Sequence, residues 1–552
     1  MSMLKGLQTM LCCKTRRLIK MTLKFDRYIK QRTMYTGERN QEKTVYVENR
    51  KNYTLDTLDY FIMNHGRHPN LKDAHRQEGL NLLHQALCNI QAWDEESVNN
   101  EYKKYLESLP HSKLLTIVNS LIVHYPFKFV KMPLYIYSID VLVGVLKSKQ
   151  LNNQEIVQLL YFAGMSKQVR ACEVQLALDN ITNFEDLSTF EKCIIAETCF
   201  KCAIKMNEKE IRCLEKLLQD ESELLVQYPK LLVSVCKALR LSGTTNELDL
   251  SELSLQLIHN SRHLCMQALT HILQLYAELY VNNEQVLMRL AQNSIQSLSV
   301  FNRLDNHIKI ATRTGLTKAF HKPKSVDSFL WCLSRLRYKL NPAEYKEVMI
   351  YIHTMFETLI KEPNRMTNII LSLWMLGFKE ATMIKKCIRL SVFHKVMQGE
   401  SWKPRARLQL LIQCIELDNE CERIKIPSAL KRIMIIGSEP SKALKLLYKI
   451  VRTLGSRLNL YHIKIDCPVN ALALYGISFE HSSVGKIHID VLDSKTCFCN
   501  TVEPHGLFKL KLMLLEKLGY QSILINGENV TDLVSTFVHV EDTISEMVSK
   551  HE

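Results

Sequence analysis

From about residue 110 onward, similar helix-pair patterns return at a spacing of about forty residues, and this recurrence constrains the fold more than any other feature. "IVQLLYFAG" (Ile156 to Gly164), "IIAETCFKC" (Ile194 to Cys202) and "LVSVCKALRLSG" (Leu232 to Gly243) begin the series. "ILQLYAELY" (Ile272 to Tyr280), "FLWCLSRLRY" (Phe329 to Tyr338), "IILSLWMLGF" (Ile369 to Phe378) and "LLIQCIEL" (Leu410 to Leu417) continue it. Each places apolar residues at i, i+3 or i+4 and i+7, the period of one helix face, and most are followed by a second amphipathic stretch. Two helices per unit predict an α-solenoid, in which each hairpin buries its apolar face against the next. The interval widens between the fourth and fifth copies, so a unit there is degenerate or carries an insertion. An irregular helical domain is the alternative, because helical patterns can imitate a period. Only 17 Gly and 13 Pro in 552 residues agree with helices joined by short turns, and 46% hydrophobic content supplies a core.

Apolar runs such as "LLTIVNSLIV" (Leu114 to Val123) fall short of the roughly 20 residues that a bilayer demands, and "MPLYIYSIDVLVGVL" is interrupted by Asp140. No membrane span is expected. The 17 cysteines scatter without a framework spacing, which suits reduced thiols in an intracellular compartment. Cys199 and Cys202 form a CxxC and Cys497 and Cys499 a CxC, yet no further ligands lie at finger spacing, so neither metal nor cofactor is expected.

The net charge of +15 is uneven. Residues 1–43 carry eleven Lys/Arg against Asp26, Glu38 and Glu42, and residues 361–452 carry eighteen against eight acids. Residues 44–360 are nearly neutral, and residues 453–552 are acidic. "MSMLKGLQTMLCCKTRRLIKMTLK" holds Lys5, Lys14, Arg16, Arg17, Lys20 and Lys24 with no acid, and leucines near helical spacing. That composition predicts a mitochondrial targeting segment and basic tail over 1–43; a disordered basic tail is the bland reading. In 361–452, "KEPNR", "KKCIR", "KPRAR" and "LKRIM" interleave with Trp374, Phe378, Trp402 and Tyr448. Cations neutralise phosphates and aromatic faces stack unpaired bases, so Lys403, Arg405, Arg407, Lys431 and Arg432 are candidate RNA contacts. Each cluster taken alone also reads as a solvated face.

After about residue 470 the period changes. "YGISFE" and "KIHIDVLD" alternate around "HSSVG", a hairpin signal. A helix follows in "GLFKLKLMLLEKLG", then the strand "YQSILI", an Asn526-Gly527 turn and a closing helix. The fold class predicted is therefore mostly α: an α-solenoid with a basic helical region over 361–452 after the repeats of 44–360, then a small α/β module over 470–552. Lys511 falls inside the apolar arc of its helix, between Leu507, Leu514 and Leu518 on one side and Leu515 on the other, whereas Lys509 shares the solvated face. Such a lysine either snorkels to the rim or pairs with Asp490 or an RNA phosphate. Lys511 and Asp490 are expected close together at the sheet margin, with Lys511 contributing little to stability.

Ile489, Asp490, Leu510, Lys511, Leu514, Leu515, Leu518, Gly519 and Tyr520, in the order strand, loop, helix, strand, resemble the RAP domain. Together with the repeats, the basic N-terminal segment and "IILSLWMLGF", the chain resembles the Fas-activated serine/threonine kinase family. The resemblance implies action on mitochondrial RNA in the matrix, in processing, stability or translation, with RNA-granule or ribosomal proteins as further partners. The matching family position favours pairing of Lys511, and Lys509 joins it as an RNA contact. Where the family carries an acidic-Asp-Gly-Pro-x-His run, this chain has "DVLDSKT". No Gly-rich phosphate loop, Ala-x-Lys strand, HRD or DFG motif supports kinase activity. RAP domains are also similar to the restriction-endonuclease-like fold, which leaves two rival readings. One is a metal-dependent endoribonuclease using Asp490, Asp493, Lys495 and Lys511, with Glu480 or Asp466 as second ligand. The other is a non-catalytic protein-binding scaffold.

Overall fold

A computed structural model describes residues 72–552 apart from 92–97, 126–128, 246–247, 304–322, 388–395, 397–401, 419–439, 495, 500, 528–529, 531–532 and 550–552. Among these residues are 22 α-helices and one four-stranded mixed sheet. The first 43 residues, Lys431, Arg432 and Lys495 lie outside the described set.

The helices that matter here are α1 (Asn153–Gly164), α2 (Thr189–Cys202), α3 (Glu208–Asp220), α4 (Pro229–Ser242), α5 (Ser251–Asn260), α6 (Met266–Glu278) and α7 (Glu284–Asn302). They continue as α8 (Pro323–Arg335), α9 (Pro342–Thr354), α10 (Pro363–Met375) and α11 (Trp402–Glu416). All seven recurring segments of the sequence fall on α1, α2, α4, α6, α8, α10 and α11, and each of these helices packs on the next in that order. A second layer, α3, α5, α7 and α9, does the same. The helical packing crosses residue 361 without a break, through α8, α10 and α11.

Local chemistry sets the starts of these helices. Asn152, Ser188, Asn207 and Asn341 each close a capping box with the glutamate three residues on, satisfying amide groups the helix leaves unpaired. Pro229 and Pro363 take the first helical position, where the missing N–H costs nothing. In α2, Cys193, Ile194, Ile195, Ala196, Cys199 and Cys202 are buried around most of the helix circumference, the pattern of a helix enclosed by neighbours. The CxxC pair is thus core, and Cys199 and Cys202 are free thiols.

The C-terminal module starts before residue 470. Helix α12 (Lys442–Leu454) and strand β1 (Leu460–Asp466) precede β2 (Gly476–His481), β3 (Gly485–Leu492), α13 (Gly506–Lys517), β4 (Tyr520–Asn526) and α14 (Leu533–Ser549). The sheet order is β1-β2-β3-β4, antiparallel except for the parallel pair β3/β4. Alternation divides β3 between two faces. Ile487, Ile489 and Val491 enter one core with Leu444, Leu447, Ile450 and Val451 of α12 and Val540 and Ile544 of α14. Burying each such side chain contributes about 1.5–3 kcal/mol. His488 and Asp490 point to the other face, towards α13.

Helix α13 packs both on β4 and on α8 and α10 of the helical array. With two partners, its apolar arc is wider than one sheet contact requires, and Phe508, Leu510, Lys511, Leu514 and Leu515 are all buried. Gly506 makes this approach possible: a Cβ there would lie 1.9 Å from the Ser334 carbonyl oxygen at the end of α8. Tyr280, just beyond α6, fixes the same junction. Its carbonyl accepts from Cys499 N at 2.8 Å, and its ring stacks on His505 at 4.5 Å and meets the Arg335 guanidinium at 4.7 Å.

Candidate nucleic-acid interface

Helices α2, α4, α6, α8, α10 and α11 stack in order, so residues on their common free side form a row. Glu197 and Lys201 lie at the end of α2 and Lys230 at the start of α4, and both ammonium groups bind Glu197 Oε1, at 3.1 and 2.7 Å. Burial opposes ionisation of Glu197, but Lys201 and Lys230 hold its carboxyl well below the carboxylate range. Two turns after Lys230, Lys237 is half-buried with its ammonium 5.4 Å from the Phe200 ring. Burial, then the neighbouring Lys230, pushes Lys237 down to about 8; Lys201 and Lys324 add to the effect and Glu197 opposes it.

The row continues on α6 and α8. Arg240 makes a two-pronged bond to Glu278, with Nε to Oε2 at 3.0 Å and Nη2 to Oε1 at 2.8 Å, and donates to Gln274 Oε1 at 2.6 Å. Burial and then Lys237, Arg240 and Lys324 push His271 down to about 3, so this imidazole is neutral. Lys324 is exposed. Further on, the Arg407 guanidinium of α11 lies 3.9 Å from the centroid of the half-buried Trp331 ring. Burial lowers the Arg407 pKa from its ordinary value, with Asp327 opposing. Glu197 matches Lys201 and Lys230, and Glu278 matches Arg240, while burial opposes the charge of Lys237 and Arg407.

The structure separates the RNA-binding residues expected from the sequence. Lys403 is exposed on the first turn of α11, and Arg405 is half-buried. Arg407 is packed against Trp331 rather than projecting into solvent. Lys509 is exposed on α13. Lys511 is 0% exposed, which overturns its reading as a rim lysine open to a phosphate. It forms a buried ion pair with Asp490 Oδ1, its Nζ also lies 3.3 Å from His488 Nε2, and His488 Nδ1 is 2.8 Å from Ser478 Oγ. Gly476 leaves room for this ring, since a Cβ would come within 2.3 Å of His488 Nε2. Burial would raise the Asp490 pKa, but His488 and Lys511 bring it below the ordinary value.

The carboxylates that a hydrolytic metal would need are dispersed. Asp466 pairs with Lys464 at 2.9 Å, Glu480 is exposed opposite Lys486, and Asp493 lies past the end of β3, receiving and returning hydrogen bonds with Thr496. Among the described residues no group of three His, Cys, Asp or Glu could hold a metal ion. Beside Asp490 the Lys511 ammonium takes the place that a cation would fill. This donor set does not fit a divalent metal.

Sequence reasoning missed Lys201, Lys230, Lys237, Arg240, Lys324, Asp327, Trp331 and Asn368. The charge of residues 44–360 averages near zero because acids, Glu197 and Glu278 within the row among them, offset these cations. The signal was positional. Counted from the first helical residues Pro229, Met266 and Pro323, the set Lys237, Gln274 and Trp331 shares one offset, and Lys230, Gln267 and Lys324 another. No family model matches this sequence, and no curated protein matches it either. No helix among the described residues is long and apolar enough to cross a membrane.

Proposed function

We propose that the protein binds single-stranded RNA along the free side of its stacked helices. The observation that carries this reading is the set Lys201, Lys230, Lys237, Arg240, Lys324 and Arg407, which α2, α4, α8 and α11 of the stacked array contribute, with Trp331 beside Arg407. Cations at this spacing follow a phosphodiester backbone, and an aromatic face takes an unpaired base. In this reading the array is an α-solenoid and the sheet module a RAP domain docked at its end. The resemblance to the Fas-activated serine/threonine kinase family supplies the setting: a mitochondrial RNA-binding protein acting post-transcriptionally, addressed by its basic N-terminal segment.

The deciding experiment titrates salt against the affinity of the full chain for a labelled single-stranded RNA. Replacing Lys237 and Lys324 with Ala is expected to weaken binding across sequences and to flatten the salt dependence by about 0.7 log unit for each phosphate left without its cation. Absence of any salt-sensitive RNA affinity would favour the scaffold reading instead. The buried state of Asp490 and Lys511 favours a structural role for both over endoribonuclease chemistry.

A further inference from the structure

We infer that Asp327, Trp331, Asn368 and Arg407 form a subsite that reads one unpaired nucleobase, with guanine the base preferred. The inference rests on the RNA reading above and adds sequence preference to it. Three helices build the subsite: α8 gives Asp327 and Trp331, one turn apart, α10 gives Asn368 and α11 gives Arg407. The planar guanidinium against the Trp331 ring makes a two-layer stacking surface, and bases stack on guanidinium planes as well as on rings.

The polar edge that Asp327 and Asn368 present beside this surface is rich in acceptors. Asn368 Nδ2 donates one of its two N–H groups to Asp327 Oδ1, while Asn368 Oδ1 is buried with no hydrogen-bond partner. Asn368 is 3% exposed, and a buried acceptor left unmet is costly. Asp327 is costly too. Burial pushes its carboxyl up to about 6, against the opposing effects of Asn368, Arg407 and Arg365, while Glu362 raises it further. Packing alone gives no reason to keep an unmet amide oxygen next to a strained carboxylate, and perturbed groups of this kind gather at binding sites. A ligand that stacks here must bring N–H donors. Guanine presents two side by side, N1–H and the N2 amino group, which match the two oxygens of a carboxylate. Uracil offers one ring N–H, and adenine and cytosine one amino group each.

The test uses the full chain and 5′-labelled oligouridine carrying, at one central position, guanosine, inosine or uridine. The parent protein should bind the guanosine oligonucleotide most tightly, and inosine, which lacks the N2 amino group, should lose most of the gain. Asp327→Asn should abolish the guanosine preference, so that the guanosine and uridine oligonucleotides bind alike. Trp331→Leu, which keeps apolar volume but removes the ring, should weaken binding to all three by roughly 5- to 150-fold. Thermal unfolding of each variant separates loss of binding from loss of fold, and Arg407→Lys, which keeps charge but not planarity, is the second probe of the stack. Salt-sensitive binding with no discrimination among the three oligonucleotides, or a guanosine preference that survives Asp327→Asn, would overturn the subsite and leave the RNA reading standing. No binding of any oligonucleotide by folded parent protein would overturn both.

Discussion

Lys511 and Asp490 have no solvent to fall back on, so removing one charge strands the other. Lys511→Ala is expected to destabilise the protein by about 3–5 kcal/mol, whereas Lys511→Met combined with Asp490→Leu should cost far less; urea unfolding of the single and double variants checks this. The two perturbed aspartates act on stability with opposite signs. Asp490 titrates below the ordinary carboxylate value, so its contribution is complete above pH of about 4 and is lost as pH falls through its folded value. Asp327, raised from 3.8 to about 6, binds more protons folded than unfolded across that window, so stability falls as pH rises through it. Asp327→Asn should therefore be more stable than the parent at a pH of about 7.5, with the gap closing towards a pH of about 4, read as the difference between the two unfolding curves. At this scale the sequence marked Lys511 as anomalous and linked it to Asp490, because a charge in an apolar arc is visible on a helical wheel. Its exposure was misjudged, because nothing in the wheel says that α13 has a second partner.

Helix α13 is where elements from two parts of the chain compete for the same space. Gly506→Ala would drive a methyl group into the Ser334 carbonyl oxygen, a backbone atom that cannot rotate away. The expected result is a shifted or loosened module, costing about 1–3 kcal/mol or more and seen as faster limited proteolysis around residues 495–506. Leu514→Ala, 2% exposed, should cost about 2–5 kcal/mol through a cavity. The array elements were legible because the apolar period recurs in seven segments, each of which falls on one helix of the stacked array. Helix α12 was read only as part of the basic helical region over 361–452, not as part of the sheet module. Lys442, Lys445, Lys449 and Arg452 are at or near the surface and drew it into a basic region, while its buried stripe of Leu444, Leu447, Ile450, Val451 and Leu454 belongs to the sheet. Charge over a window reports composition, and only packing reports allegiance.

Across the whole molecule, the cation segment expected from the sequence differs from the cations that α2, α4, α8 and α11 contribute, because grouping in space is a property of stacked helices and not of contiguous sequence. Residues 1–45 fused to a fluorescent passenger should direct it to mitochondria; cytosolic or nuclear signal would remove that part of the proposal. The junction at Tyr280 ties residues 499–505 to a point more than two hundred residues upstream, and this sets an order of events during synthesis. Helices α8 and α10 leave the ribosome long before α13 does, so their apolar docking surface waits uncovered while the intervening chain is translated. Until α13 arrives, that surface is a natural client site for a chaperone, and slow translation between α10 and α13 should lengthen the nascent chain's stay on one.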